Sequence, residues 1–219
     1  MKNLLITTLL TFGLSTSVFA GGGGDILRAS LMVDNLEYQF NDEKTISWNS
    51  YAYVGYDLNK IYLYSEGEKA KDATSAESEN QLVYSRAISP YWDIQVGVGY
   101  DKSNEDDKTW GVLGVQGLAP YFFETRAVVL VGKGGDVGFR AEAEYEALFT
   151  QKLILTPSIG ISAYSNDVSN LTLGARLRYE VVREFAPYIG IEWSKDFAHT
   201  KNTTPLNEVY AIAGLRFWF

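Results

Sequence analysis

Glu142, Glu144 and Glu146 alternate with Ala143 and Tyr145, and Glu66 and Glu68 flank Gly67, so both sets of carboxylates recur at every second position. In an extended chain such residues share one face at a spacing of about 7 Å. Carboxylates placed this way can pass a hydrated dication along a wall. Oxygen ligands suit hard cations and discriminate poorly among divalent ions, so geometry has to do the selecting. Weak attraction at several sites is what permeation requires. Softer chemistry has little to work with: beyond Met1 the chain holds one methionine, Met32, one histidine, His199, and no cysteine. These two are the remaining metal-ligand candidates. Met32 reads first as a packing residue, because Met fills gaps readily. His199 reads first as a solvated loop residue, although imidazole is a common metal ligand. An enzyme would need a base beside a nucleophile or a water, and His199 alone would have to serve; the chain is read as non-enzymatic. No Gly-rich phosphate loop, zinc-ligand spacing or long amphipathic helix is present in the sequence, so no organic cofactor is expected.

The elements that carry these residues are strands. The tail from Val209 to Phe219 alternates apolar and other side chains and stops on Phe, the ending of an outer-membrane β-barrel strand. Period-2 runs bounded by turn residues predict about twelve strands, near 31–40, 45–57, 60–70, 77–88, 91–102, 108–118, 121–132, 137–149, 152–164, 170–182, 187–196 and 208–219. Tight turns alternate with looser polar connections, the pattern of short periplasmic turns and longer extracellular loops. The expected fold is therefore all-β: a transmembrane, antiparallel, up-and-down barrel with both termini in the periplasm.

A basic side chain on the lipid face costs about 2–4 kcal/mol at mid-bilayer, so charged faces must point inward. In Val137–Ala147 this places Arg140, Glu142, Glu144 and Glu146 inside and Phe139, Ala141 and Ala143 outside. Applied to every strand, the rule turns Glu37, Asp57, Glu66, Glu68, Asp93, Asp101, Glu124, Glu142, Glu144, Glu146, Glu180 and Glu192 inward, facing Arg86, Arg126, Arg140, Arg176, Arg178 and Arg216. The fourth strand is ambiguous, because Leu82 and Tyr84 share a face with Arg86. Twelve carboxylates against six guanidiniums leave an acidic interior that favours cations. Two readings of it stand. The charges line a wet channel, or they pair into a plug, since twelve strands fall between filled eight-stranded and open sixteen-stranded barrels.

Residues 1–20 combine Lys2, an apolar run from Leu4 to Leu14 and the small exit Val18-Phe-Ala20, the form of a cleaved secretory signal peptide. Residues 21–30 then read as a flexible periplasmic leader and 31–219 as the barrel. No later stretch approaches the roughly 20 apolar residues of a transmembrane helix. Acidic residues outnumber basic ones 27 to 19, and losing Lys2 moves the net charge from -8 to -9, which argues against nucleic acid as a partner. Fifteen Tyr, eleven Phe and five Trp suit the aromatic girdles of a barrel in contact with outer-membrane lipid.

Several segments in order, Gly55-Tyr-Asp-Leu-Asn-Lys60, Tyr64-Ser-Glu-Gly-Glu68, Tyr84 to Asp93, Gly114 to Tyr121, Glu142-Ala-Glu-Tyr145, Arg176-Leu-Arg-Tyr-Glu180 and Arg183-Glu-Phe-Ala-Pro-Tyr188, strongly resemble the copper resistance protein B family. The resemblance runs over about residues 26–219. It implies an outer-membrane barrel of Gram-negative copper-tolerance systems, with copper homeostasis, copper binding and periplasmic copper proteins as neighbours. The chain departs from the family where a Met- and His-rich segment often precedes the barrel, since residues 21–26 contain neither type. What the residues leave for a metal is oxygen: Glu66, Glu68, Asp93, Glu124, Glu142, Glu144, Glu146, Glu180 and Glu192.

Overall fold

A computed structural model describes residues 26–103, 107–165, 169–197 and 207–219. They form a single sheet of twelve strands. These are β1 (Arg28–Gln39), β2 (Ile46–Gly55), β3 (Asn59–Lys69), β4 (Glu77–Ala87), β5 (Trp92–Lys102), β6 (Lys108–Ala119) and β7 (Phe123–Gly132). There follow β8 (Val137–Glu144, resuming at Ala147–Leu148), β9 (Leu153–Tyr164), β10 (Ser169–Tyr179), β11 (Phe185–Phe197) and β12 (Asn207–Trp218). Each strand pairs antiparallel with the next, and β12 pairs back onto β1, so the sheet closes into an up-and-down barrel. Closure matters because an unsatisfied backbone group in hydrocarbon costs several kcal/mol.

The short connections at 56–58, 88–91, 120–122, 149–152 and 180–184 lie at one end of the barrel with residues 26 and 219, the turn end. The connections at 40–45, 70–76 and 133–136 lie at the other, the loop end. The loops expected at 103–107, 165–169 and 197–207 each include residues outside the described set, and the stretch 198–206 with His199 is among them.

Strand boundaries follow the sequence pattern with two informative differences. β1 begins at Arg28 rather than Leu31, because Arg28, Ala29 and Ser30 pair with Gly55, Val54 and Tyr53 of β2. Residues 28–30 thus belong to the first strand and not to a leader. β8 is interrupted at Tyr145–Glu146. The reason lies on its neighbour: Pro157 of β9 has no N–H to donate, while its carbonyl still accepts the N–H of Tyr145 at 3.1 Å. One ladder bond is lost there and pairing resumes only at Ala147–Leu155.

The outer face is apolar and exposed, as in Leu63, Val96, Val98, Leu113, Ile189 and Ile191. The inner face divides in two. On the β3–β7 wall, Tyr62, Val83, Trp110, Val112, Val128 and Leu130 form a buried apolar cluster, with Tyr51, Tyr53, Tyr64 and Tyr164 packed against it. Glycines make the room: a Cβ on Gly97 would stand 2.8 Å from Val83 Cγ1, and one on Gly114 2.5 Å from Val128 Cγ1. The rest of the inner face, including Glu66, Glu79, Asp101 and Arg126 on the same strands, is charged and polar.

Candidate functional site in the barrel lumen

Alternation along the strands carries the charged side chains inward, and register around the barrel decides which of them meet. Arg140 of β8 pairs with Glu79 of β4 and with Asp101 of β5 at 2.7 Å, and its Nε donates to Tyr164 OH. Trp110 Nε1 also donates to Asp101, at 2.7 Å. Arg126 of β7 donates to Gln95 at 3.2 Å and to Gln81, and lies 3.9 Å from the Tyr64 ring centroid. Gln95 in turn donates to Tyr64 OH at 2.9 Å and to Gln116 at 2.8 Å. Cation–π stacking and neutral amides, not a carboxylate, hold this guanidinium.

On the opposite wall Arg176 grips Glu37 through two bonds, 2.6 and 3.2 Å, and reaches Glu192 at 2.7 Å. Tyr188 donates to Glu37 at 2.9 Å and Tyr210 to Glu192 at 2.6 Å. Nearer the turn end, Arg178 and Arg216 share Glu146 Oε1 at 2.7 and 2.9 Å. Arg216 also pairs with Asp34 at 3.0 Å, and Arg178 approaches Glu180 to 3.8 Å. Asp93 accepts from Ser85 at 3.0 Å and lies 3.9 Å from Lys60.

Arg86 does not join them. It is exposed on the outer face of β4 with Leu82 and Tyr84, which corrects its expected place as a lumen ion-pair partner. It sits close to the turn end, where a long guanidinium stem can reach the polar interface. The same parity turns Glu79, Gln81 and Ser85 inward, so Glu79 replaces Arg86 on the inner face and becomes a partner of Arg140. Resolving β4 by its apolar pair, Leu82 and Tyr84, would have found it. Asp34 was missed for another reason: a bulge between Val33 and Asn35 breaks the simple alternation of β1.

Asp57 is not in the lumen either: it lies in the 56–58 turn, exposed, and pairs with Arg28 at 3.4 Å, because the alternation that places a residue inward ends with the strand at Gly55. Five of the expected lumen carboxylates remain. Among the described residues Glu66, Glu68, Glu124, Glu142 and Glu144 make no hydrogen bond or ion pair. Glu66, Glu68, Glu124 and Glu142 are exposed on the inner face and Glu144 is half-buried. Register sets Glu66 opposite Glu79, Glu68 opposite Glu77 and Glu124 opposite Glu144. Directly opposed like charges are destabilising in a sheet, and Arg140 and Arg126 near Glu66, with Arg216 near Glu144, offset part of that repulsion. Glu66 lies within electrostatic reach of Glu142 and Glu192. The unpaired carboxylates therefore run from Glu68 and Glu66 near the loop end, through Glu142, to Glu144 and Glu124 toward the turn end.

No group of three or more His, Cys, Asp or Glu among the described residues is disposed to hold a metal ion. The lumen presents successive carboxylates, not a chelating pocket. Met32 is on the inner face, opposite Trp218 of β12 and Tyr51 of β2 in register.

A closed twelve-stranded antiparallel sheet, apolar outside and charged within, defines a porin-like outer-membrane β-barrel. Solved barrels share it at the level of fold: the KdgM porin, 12% identical with a TM-score of 0.55, and the NanC porin, 10% identical with a TM-score of 0.56, each covering 87% of this chain and 99% of its own. Residues 27–219 match the family described as copper resistance protein B precursor (CopB). Copper resistance protein B of Escherichia coli is 37% identical over 204 residues, covering 86% of this chain and 69% of its own. A homolog from Pseudomonas syringae pv. tomato is 31% identical over 208 residues, covering 88% and 70%. The chain belongs to the copper resistance protein B family.

Proposed function

We propose that this protein is an outer-membrane component of copper resistance that attracts copper or similar metal cations into its lumen and conducts them along the unpaired carboxylates. The observation that carries the reading is the partition of lumen acids. Glu37, Glu79, Asp101, Glu146 and Glu192 are bonded to arginines, whereas Glu66, Glu68, Glu124, Glu142 and Glu144 have no such partner. Carboxylates one register step apart give weak, repeated attraction, which suits passage better than capture. Family membership supports copper as the cargo, and oxygen ligands favour a cation over an anion. The role is non-enzymatic, since no covalent step is asked of the lumen acids. Residues 1–20 are removed as a signal peptide, the turn end faces the periplasm with its copper proteins, and the loop end faces outward.

A second reading has its own support. The apolar cluster around Leu130 and the arginine networks fill much of the interior, as in a plugged barrel that holds metal without passing it. Planar-bilayer conductance of the refolded mature barrel in a KCl gradient, before and after micromolar copper, separates them. A cation-selective current that copper blocks or carries, weakened in Glu66→Gln/Glu142→Gln, supports the conducting path. No current, with stoichiometric copper retained, supports the plug. An anion-selective current refutes both.

A further inference from the structure

A small cavity opens in the lumen toward the turn end, lined by Asp34, Glu144, Thr156, Arg178 and Arg216 among others. Four buried side-chain atoms lack a hydrogen-bond partner among the described residues, and three of them, Thr156 Oγ1, Arg178 Nε and Arg216 Nε, belong to this lining. Thr156 and Arg178 are 3% and 5% exposed. Each orphan is a donor, and a buried donor without an acceptor is costly to leave unmade. On the same cavity Glu144 has a carboxylate with no partner, and Glu124 stands opposite it in register. The run of free acids thus ends beside two guanidiniums that have N–H groups to spare.

We infer that Arg178 and Arg216 set the charge selectivity of the lumen at its turn-end exit. They share their acids sparingly: both draw on one oxygen of Glu146, Asp34 adds a second contact to Arg216 and Glu180 a longer one, 3.8 Å, to Arg178. A cation leaving Glu144 for Glu124 passes within the field of both. With Glu144 free of cation, the spare N–H groups face an unpaired carboxylate across the cavity, and contact between them, direct or through water, narrows the exit. A cation on Glu144 competes for that carboxylate and keeps the arginines on Glu146. The pair therefore opposes leakage of weakly held monovalent cations and yields to ions that bind the carboxylates better.

This inference rests on the carboxylate run as the cation path, and one set of recordings tests the two separately. The K+ to Cl− permeability ratio is measured from reversal potentials in a KCl gradient for wild type, Arg216→Gln, Glu146→Gln and Glu66→Gln/Glu142→Gln, with folding checked by heat-dependent gel mobility. Arg216→Gln removes one positive charge and is expected to raise the ratio at least about twofold, the Boltzmann factor for a unit charge roughly 8 Å away in water. Glu146→Gln keeps both guanidiniums but strips their shared partner, and is expected to lower the ratio by a similar factor. Because the two variants move it in opposite directions, either alone decides should the other fail to fold. An unchanged ratio in the folded variant, or a barrel that passes no current with or without Arg216, overturns the inference. If Arg216→Gln moves the ratio while Glu66→Gln/Glu142→Gln does not, the exit filter stands and the carboxylate path falls; the converse removes the filter alone.

Discussion

Replacing Arg176 by Ala tests the charged half of the interior. The guanidinium serves two carboxylates whose side chains are 3% and 13% exposed, Glu37 and Glu192. Its loss leaves both charges in place with only the Tyr188 and Tyr210 hydroxyls donating to them. Breaking a buried pair from one side costs about 3–5 kcal/mol, because the surviving charge is uncompensated. With a urea dependence of about 2–3 kcal/mol/M for a chain of this size, the unfolding midpoint should fall by about 1–2 M. The assay is reversible urea unfolding in lipid vesicles, followed by tryptophan fluorescence. Arg176→Leu combined with Glu37→Leu is the control: an apolar pair of similar volume in place of an ion pair is close to neutral, so most of the loss should return. A shift below about 0.5 M in Arg176→Ala would refute the reasoning, since it would mean that lumen water solvates Glu37 and Glu192 as well as the guanidinium does.

Leu130→Ala opens a cavity in the inner apolar cluster, where Leu130 is 0% exposed, and should cost about 2–5 kcal/mol in the same unfolding assay; a loss under about 1 kcal/mol would show that the cluster is not packed. Arg86→Gln acts on the outer face and should leave conductance and ion selectivity at wild-type values, and a clear change in reversal potential would return Arg86 to the lumen.

Strand number, antiparallel order and closure were legible in the sequence because they depend on local alternation and turn chemistry. The β8 interruption was not, since its cause, Pro157, is on the neighbouring strand. Parity misassigned Arg86 because the rule that charges face inward holds at mid-bilayer and relaxes near the interface. The inward apolar cluster was hidden for a related reason: Ala127-Val-Val-Leu-Val131 is apolar on both faces, so alternation does not say that Val128 and Leu130 turn away from lipid. Alternation alone puts most of the candidate acids on the inner face, where the structure also has them. Which acids are spent on arginines could not be read, because partners such as Glu37 and Arg176 are 139 residues apart and meet only through the register of the closed barrel.

The seam between β1 and β12 also bears on how the chain reaches this state. Leu31 and Phe219 exchange backbone bonds of 3.0 and 2.9 Å across it, so the contact that completes the sheet joins the two most distant parts of the described chain. Until the final strand arrives, every partial assembly has two open edges, and in a bilayer those edges are intolerable. Such non-local closure favours slow, late commitment. A chain shortened by its last few residues should therefore fail at insertion and not merely fold less stably, leaving β1 as a strand waiting for a partner.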